Sequence, residues 1–337
     1  MKKLLFSILA IFMIILSNGC SKKTEPVSST SFLLNTVSTI TIYQSDGPIE
    51  PSVLISQCFS LCREYEKQLS RTVAGSDVSK INTADGKAVQ IKKSTADVIQ
   101  RSLDFYHLSQ GYFDITIAPL SSLWDFQGEQ PHVPTDIEIQ KAISHINANV
   151  IQLSGDTVQL SDPEAAIDLG GIAKGYIADQ AADFLKTNGV TSAIINLGGN
   201  IVTIGGLDES TPFQIGIQKP FDQQNAVIGS LFVSDKSVVT SGVYQRYFEE
   251  NGKIYHHIID PKTGYPKENN LLSVTIISDL STDGDGLSTS CFLLGLEKGM
   301  ELINSLENIE AIFIDQDYQL HFSDGIGTKI QYKPYET

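Results

Sequence analysis

The stretch STDGDGLST, residues 281–289, sets two carboxylates among glycines and hydroxyls. Carboxylate and hydroxyl oxygens are hard ligands suited to Mg²⁺ or Ca²⁺. An EF-hand loop is excluded: counted from Ser281, the twelfth position is Phe292, where that loop needs a bidentate Glu. Asp285 and Thr289 are four apart, so a helix beginning near Asp283 would put them on one face. One carboxylate and one hydroxyl could then take two positions on a single Mg²⁺, which draws its other ligands from water and substrate phosphate. The same residues would equally serve as an Asp N-cap with a solvated first turn.

Three further stretches could do chemistry. In DLGGIAKGYIAD, residues 168–179, glycines surround a helix start, and Lys174 adds a cation. Free N–H groups there can hold a phosphate, although the spacing is neither that of a P-loop nor G-x-G-x-x-G. A packing turn between strand and helix would look the same. NLGGN, residues 196–200, permits either close backbone approach to a ligand or a bulge. In HHIIDPKTGYP, residues 256–266, two histidines precede turn residues. On a strand they face opposite sides, so at most one serves a given site as a general base.

The elements that must position these residues form a mixed pattern. A long strand is expected over 32–43 and a helix over 52–69 from its apolar spacing. A second helix runs from a Ser94 cap to about Gln110, where Gly111 stops it. Residues 111–126 read as strand-like and then irregular. Thr135 and Glu138 form a capping-box pattern for a helix to about residue 147. Hairpins are expected over 150–160 and, through Asn251–Gly252, over 244–260. Residues 165–189 read as strand, glycine turn and helix, and 190–205 as a strand interrupted by a Gly pair. Strands follow over about 213–219, 226–240, 271–278 and 309–322, with helices over about 283–295 and 297–306. Runs of strands with interspersed helices argue for an α+β fold rather than a doubly wound parallel sheet.

Composition narrows the classes. The 337 residues are 41% hydrophobic and 19% charged, with a net charge of −15. No Lys/Arg cluster follows the N-terminus, which excludes a general nucleic-acid binder. At the N-terminus, Lys2 and Lys3 precede the apolar run LLFSILAIFMIIL, residues 4–16, too short for an ordinary membrane span. Ser17-Asn18-Gly19-Cys20 then resembles a bacterial lipoprotein signal cleaved before Cys20, with the usual Leu displaced by one residue to Leu16. Residues 1–19 are thus expected to be a signal peptide, 20–31 a tether from lipidated Cys20, and 32–337 one domain; an ordinary signal peptide or an uncleaved anchor would read similarly. Such an anchor would hold the protein on the extracytoplasmic face of the cell membrane. Cys58, Cys62 and Cys291 remain, an odd count that argues against a disulfide framework. Cys58 and Cys62, four apart on a helix face, read as core thiols.

Taken together, GYFDITIAPL (111–120), DLGGIAKGYIAD (168–179), YHHIIDPKTGYP (255–266) and DGLSTSCFLLG (285–295) resemble the ApbE family of FAD:protein FMN transferases. NLGGNI (196–201) and LSRTVAGSDVSKIN (69–82) also fit. The resemblance runs from about residue 32 to the end. It implies an ApbE-like, T-fold-like domain of mixed and antiparallel sheets packed with helices. It implies Mg²⁺-dependent cleavage of FAD, with FMN passing to a Thr or Ser hydroxyl of a target flavoprotein and AMP released. That acceptor would be membrane-associated or extracellular. By the same resemblance, Gly171 would give the metal a backbone carbonyl, and Asp285 and Thr289 side-chain oxygens. Leu34, Thr72, Tyr112, Phe113, Asp114, Asp168 and Lys174 would line the flavin substrate. His257 would be the catalytic histidine, with Ile258 against the flavin. The chain departs from the family pattern at Leu34-Asn35-Thr36, where many members have Met-Gly-Thr, and at Thr72, where many have an aromatic residue. A pyrophosphatase using water as acceptor, and a flavin-binding lipoprotein without turnover, are the alternatives.

Overall fold

The computed structural model describes residues 25–126, 128, 131–222 and 226–335. Cys20 and the signal segment lie outside the described residues. The chain enters as β1 (Val27–Leu33) and returns as β2 (Thr36–Ser45), in antiparallel register with Leu33 opposite Thr36. The single strand expected over 32–43 is therefore a hairpin. Leu34 and Asn35 form its two-residue turn, each at φ 55°, the left-handed geometry that matches strand twist. Strand pairing from Val27 also corrects the tether, because residues 27–31 already belong to the sheet.

Helices α1 (Pro51–Leu69), α2 (Asp77–Asn82) and α3 (Lys93–Leu108) follow. Residues 111–117 then form turns, and α4 (Ala118–Trp124) replaces the strand expected there. The capping box of Thr135 and Glu138 starts α5 (Asp136–Ile143), as the sequence predicts. β3 (Val89–Gln90), β4 (Ile151–Ser154) and β5 (Thr157–Leu160) make a small sheet. The expected strand before the glycine turn is only extended chain, bridging Ala166 to Ile117. α6 (Ala173–Thr187) leads into β6 (Val190–Leu197) and β7 (Asn200–Ile204), which turn at the Gly pair. β8 (Phe213–Gln218), β9 (Val227–Val233), β10 (Ser237–Gly242), β11 (Tyr247–Glu250), β12 (Lys253–His256) and β13 (Leu271–Ser278) come next. The chain closes with α7 (Ser281–Leu294), α8 (Leu296–Asn304), β14 (Glu310–Asp315), β15 (Leu320–Phe322) and β16 (Gln331–Pro334).

The main sheet has the order β1-β2-β6-β7-β10-β13-β14-β15, antiparallel throughout. Its central strands are buried on both faces, and strand alternation assigns the faces. Val274, Ile276, Ala311 and Phe313 join the core beneath the helices. Ile277, Ile312 and Ile314 face the other way, toward Phe213, Ile215 and Leu231 of the sheet β16-β9-β8. The result is helices, main sheet and small sheet in layers, an α+β fold. A satellite core gathers Trp124, Ile139 and Ile259 with Phe248 and Tyr255, fixing the β11–β12 hairpin onto α4 and α5. Cys58, Cys62 and Cys291 are buried free thiols.

Candidate active site

The site is built on α7, which is buried on nearly every side. Ser, Thr, Gly and Asp are weak helix formers, so packing must hold this helix. Small residues make that packing possible: Gly284 lies against Val239 and Gly286 against Phe105. α6 approaches equally closely. A Cβ on Gly175 would stand 2.3 Å from the Ser281 carbonyl oxygen and 2.8 Å from the Asp285 Cβ. Only glycine permits this contact.

That approach orients the Asp285 carboxylate, which is 3% exposed. Its Oδ2 accepts from the Gly175 N–H at 2.9 Å, and its Oδ1 from Lys174 Nζ at 3.3 Å. One helical turn on, Thr289 Oγ1 lies 3.3 Å from Ser241 Oγ, which also bonds Ser288 Oγ at 2.8 Å. Gly171 faces the same hydroxyl, since a Cβ there would lie 3.9 Å from Thr289 Oγ1 and 3.3 Å from the Phe113 ring. Phe113 is buried behind Gly171 and packs edge-on against Phe105 at 5.7 Å.

Asp168 is set by its backbone N–H, which donates to the Ile115 carbonyl at 2.7 Å. Its Oδ2 pairs with Arg71 Nε at 2.9 Å, and Arg71 Nη1 reaches Ser122 Oγ at 2.9 Å. Arg246 stands at the foot of the β11–β12 hairpin. Burial draws its pKa down, while the carboxylates of Asp168 and Asp285 act the other way. His257 stands at the opposite foot. Its N–H donates to the Arg246 carbonyl at 3.1 Å, and its Nδ1 lies 3.2 Å from the same oxygen. Burial, then Arg246 and His256, push the His257 pKa down to about 3. It is therefore neutral at ordinary pH. His256 takes a different role: it is buried edge-on against Phe292 at 5.7 Å, with Nε2 3.2 Å from the Lys267 carbonyl oxygen.

Gly171 and Lys174, at the start of α6, thus meet Asp285 and Thr289 of α7, while the charges of Asp168 and Asp285 act on Arg246 and those of Arg246 and Lys174 on His257. The other expected site residues have separate partners. Leu34 donates its N–H to Glu66 Oε1 at 2.8 Å. Thr72 is exposed and bonds Ser70 Oγ at 3.0 Å. The Tyr112 ring lies under Lys262 Nζ, 3.6 Å away. Asp114 turns inward, accepting from Thr116 N–H at 2.8 Å and Ala148 N–H at 3.0 Å, and burial raises its pKa. The Ile258 side chain sits in the main core. An open recess of about 390 Å³, lined by Tyr106, Gly111, Asp114, Asn147 and Lys262, lies beside the 111–114 loop. Asp285, Thr289 and His257 are not among its walls.

Among the described residues, no group of three or more His, Cys, Asp and Glu could hold a metal. Any cation here would rest on one carboxylate, a hydroxyl and backbone oxygen. Those are hard donors, few in number, the pattern that suits Mg²⁺ sharing its shell with phosphate and water. Sequence reasoning missed Arg246, Arg71 and Ser241. Arg246 carried a legible signal, a cation at the start of the hairpin that ends at the histidines.

A family model described as the ApbE family matches residues 34–313. The chain belongs to the ApbE family. A relative from Klebsiella pneumoniae (strain 342), named FAD:protein FMN transferase, is 40% identical over 80% of this chain and 84% of its own. A Treponema pallidum (strain Nichols) protein of the same name is 32% identical over 94% of this chain and 91% of its own. The solved structure of the flavin transferase ApbE from Vibrio cholerae superposes with a TM-score of 0.80 at 28% identity, covering 89% of this chain and 97% of that one.

Proposed function

We propose that the chain is an FAD:protein FMN transferase that moves FMN from FAD to a Thr or Ser hydroxyl of a target flavoprotein. The observation that carries this reading is the meeting of Asp285, Thr289, Gly171 and Lys174, with Lys174 acting electrostatically on a histidine held neutral. The acceptor oxygen attacks the FMN-side phosphorus of the pyrophosphate. A new P–O bond forms there, and the bond to the bridging oxygen breaks, releasing AMP. Neutral His257 takes the proton from the acceptor hydroxyl as general base. Lys174 and Arg246 offset charge on the phosphates, because phosphoryl transfer depends on positioning and charge more than on covalent chemistry. Asp285, Thr289 and the Gly171 carbonyl would hold Mg²⁺. When bound, that ion supplies Lewis-acid neutralisation of the pyrophosphate and its leaving group.

The same site with water as acceptor would make a pyrophosphatase. Chromatography of FAD, FMN and AMP separates the two readings. Transfer predicts AMP release that depends on a Thr-bearing acceptor peptide. Equal release of AMP and free FMN without acceptor would contradict it.

The N-terminal segment supports attachment through lipidated Cys20, which puts the enzyme on the extracytoplasmic face beside membrane-associated or extracellular acceptors. Radiolabelled fatty acid should enter the protein and be lost in Cys20→Ala; equal labelling of the variant would refute the anchor.

A further inference from the structure

α7 carries Asp285 and Thr289, yet its N-cap position is Leu280, which offers no side-chain cap. The cap comes from α6. Asp179 Oδ1 accepts from the Ser281 N–H at 2.6 Å, and Oδ2 from the Thr282 N–H at 2.8 Å and Thr282 Oγ1 at 2.5 Å. These bonds satisfy donors that a helix start leaves open. They also form one rung of a two-rung ladder, whose second rung is the Gly175 N–H to Asp285 Oδ2 bond at 2.9 Å. Asp179 lies four residues after Gly175, and Ser281 four residues before Asp285. The two helices therefore run antiparallel and are tied once per turn. α6 starts two residues after Gly171. Locking α7 onto α6 consequently fixes Asp285 and Thr289 relative to Gly171 and Lys174, elements more than 100 residues apart in sequence. Across the same contact, the approach at Gly175 leaves no slack for a compensating shift.

We infer that Asp179 is a positioning residue for the phosphoryl-transfer site, setting the Asp285–Thr289 face of α7 against the Gly171 turn. The inference rests on the transferase reading for its catalytic consequence but not for its geometric one. Burial holds the Asp179 pKa up to about 6, opposed by its bonds to Thr282 and Ser281, so the carboxylate is kept in an unfavourable place by what it ties together.

The test uses the full chain and two readouts. Mg²⁺ is titrated against thermal denaturation without FAD, and kcat and KM for FAD are measured with an acceptor peptide. Asp179→Asn keeps one acceptor oxygen and loses the second. It should raise the Mg²⁺ half-saturation severalfold and lower kcat about tenfold or more, with KM for FAD within about twofold, as misplacement of reacting groups does. Thr282→Val removes one of the three bonds and should move both readouts the same way by less, which keeps the question open to test if Asp179→Asn does not fold. Leu185→Ala, in the core at the far end of α6, should lower the denaturation midpoint without moving the Mg²⁺ half-saturation. Unchanged Mg²⁺ half-saturation in Asp179→Asn and Thr282→Val, or an equal rise in Leu185→Ala, overturns the inference. The Mg²⁺ titration needs no turnover. Absence of flavinyl transfer in the wild type would therefore refute the functional reading separately.

Discussion

His257 combines two properties that a base for an uncharged hydroxyl needs: it is neutral, and it is fixed by Arg246 backbone bonds at both its N–H and Nδ1. Its folded pKa of about 3 lies below the ordinary 6.5. Between these values the unfolded chain binds a proton that the folded chain refuses. The stability His257 contributes is therefore complete above about pH 6.5 and is lost as pH falls toward 3. The acid limb of kcat/KM in the free enzyme should accordingly lie well below 6.5. A limb at the ordinary histidine value in the pH–rate profile would show that burial does not hold the ring neutral. Asp285→Ala and His257→Ala should each cut turnover about tenfold or more, and wild-type rates in either would remove that residue from the site. That Asp285 and Thr289 share one helix was legible from their four-residue spacing. The role of Asp283 was not. That residue does not cap α7, but pairs with Arg101 Nη2 at 2.7 Å, a partner 182 residues away.

At the scale of elements, the helix expected over about 283–295 is α7 (Ser281–Leu294), and what the sequence hid was its burial. Gly, Ser and Thr are turn formers in an exposed segment. In a helix enclosed by α6, β10 and β13 they are what the packing demands. Composition alone cannot distinguish the two, because the deciding fact is the distance to a neighbouring backbone. Gly175→Ala tests that distance. Its Cβ would collide with the Ser281 carbonyl and force α6 from α7. A loss of about 1–3 kcal/mol is expected from overpacking, read as a shift in the urea midpoint. An unchanged midpoint would mean that the helices separate freely. The β1–β2 hairpin was missed for a related reason. Leu34 is a poor residue for a left-handed turn, and its conformation is held by the bond to Glu66 on α1. The Asn251–Gly252 turn and the Thr135–Glu138 box were read correctly because their chemistry is local.

Across the whole molecule, the main sheet supplies a rigid floor. The helices above it bring Gly171, Lys174 and Gly175 to Asp285 and Thr289, and the β11–β12 lobe carries Arg246 and His257, which feel the charges of Asp285 and Lys174. The α+β class was visible in the order of the segments. The layering was not, because β13 and β14 alternate between two cores and read only as continuous apolar runs. A site assembled from three regions should stabilise the fold when filled. FAD with Mg²⁺, each at about a hundred times its dissociation constant, should add about 2.7 kcal/mol per independent site, and chelation by EDTA should remove the metal's share. No shift in the denaturation midpoint would argue against ligand binding. Intact-mass spectrometry of a purified acceptor flavoprotein after incubation with the enzyme, FAD and Mg²⁺ should show one FMN esterified to a Thr or Ser hydroxyl of the acceptor, absent when His257→Ala replaces the wild type. An unmodified acceptor alongside consumed FAD would contradict transfer to the acceptor.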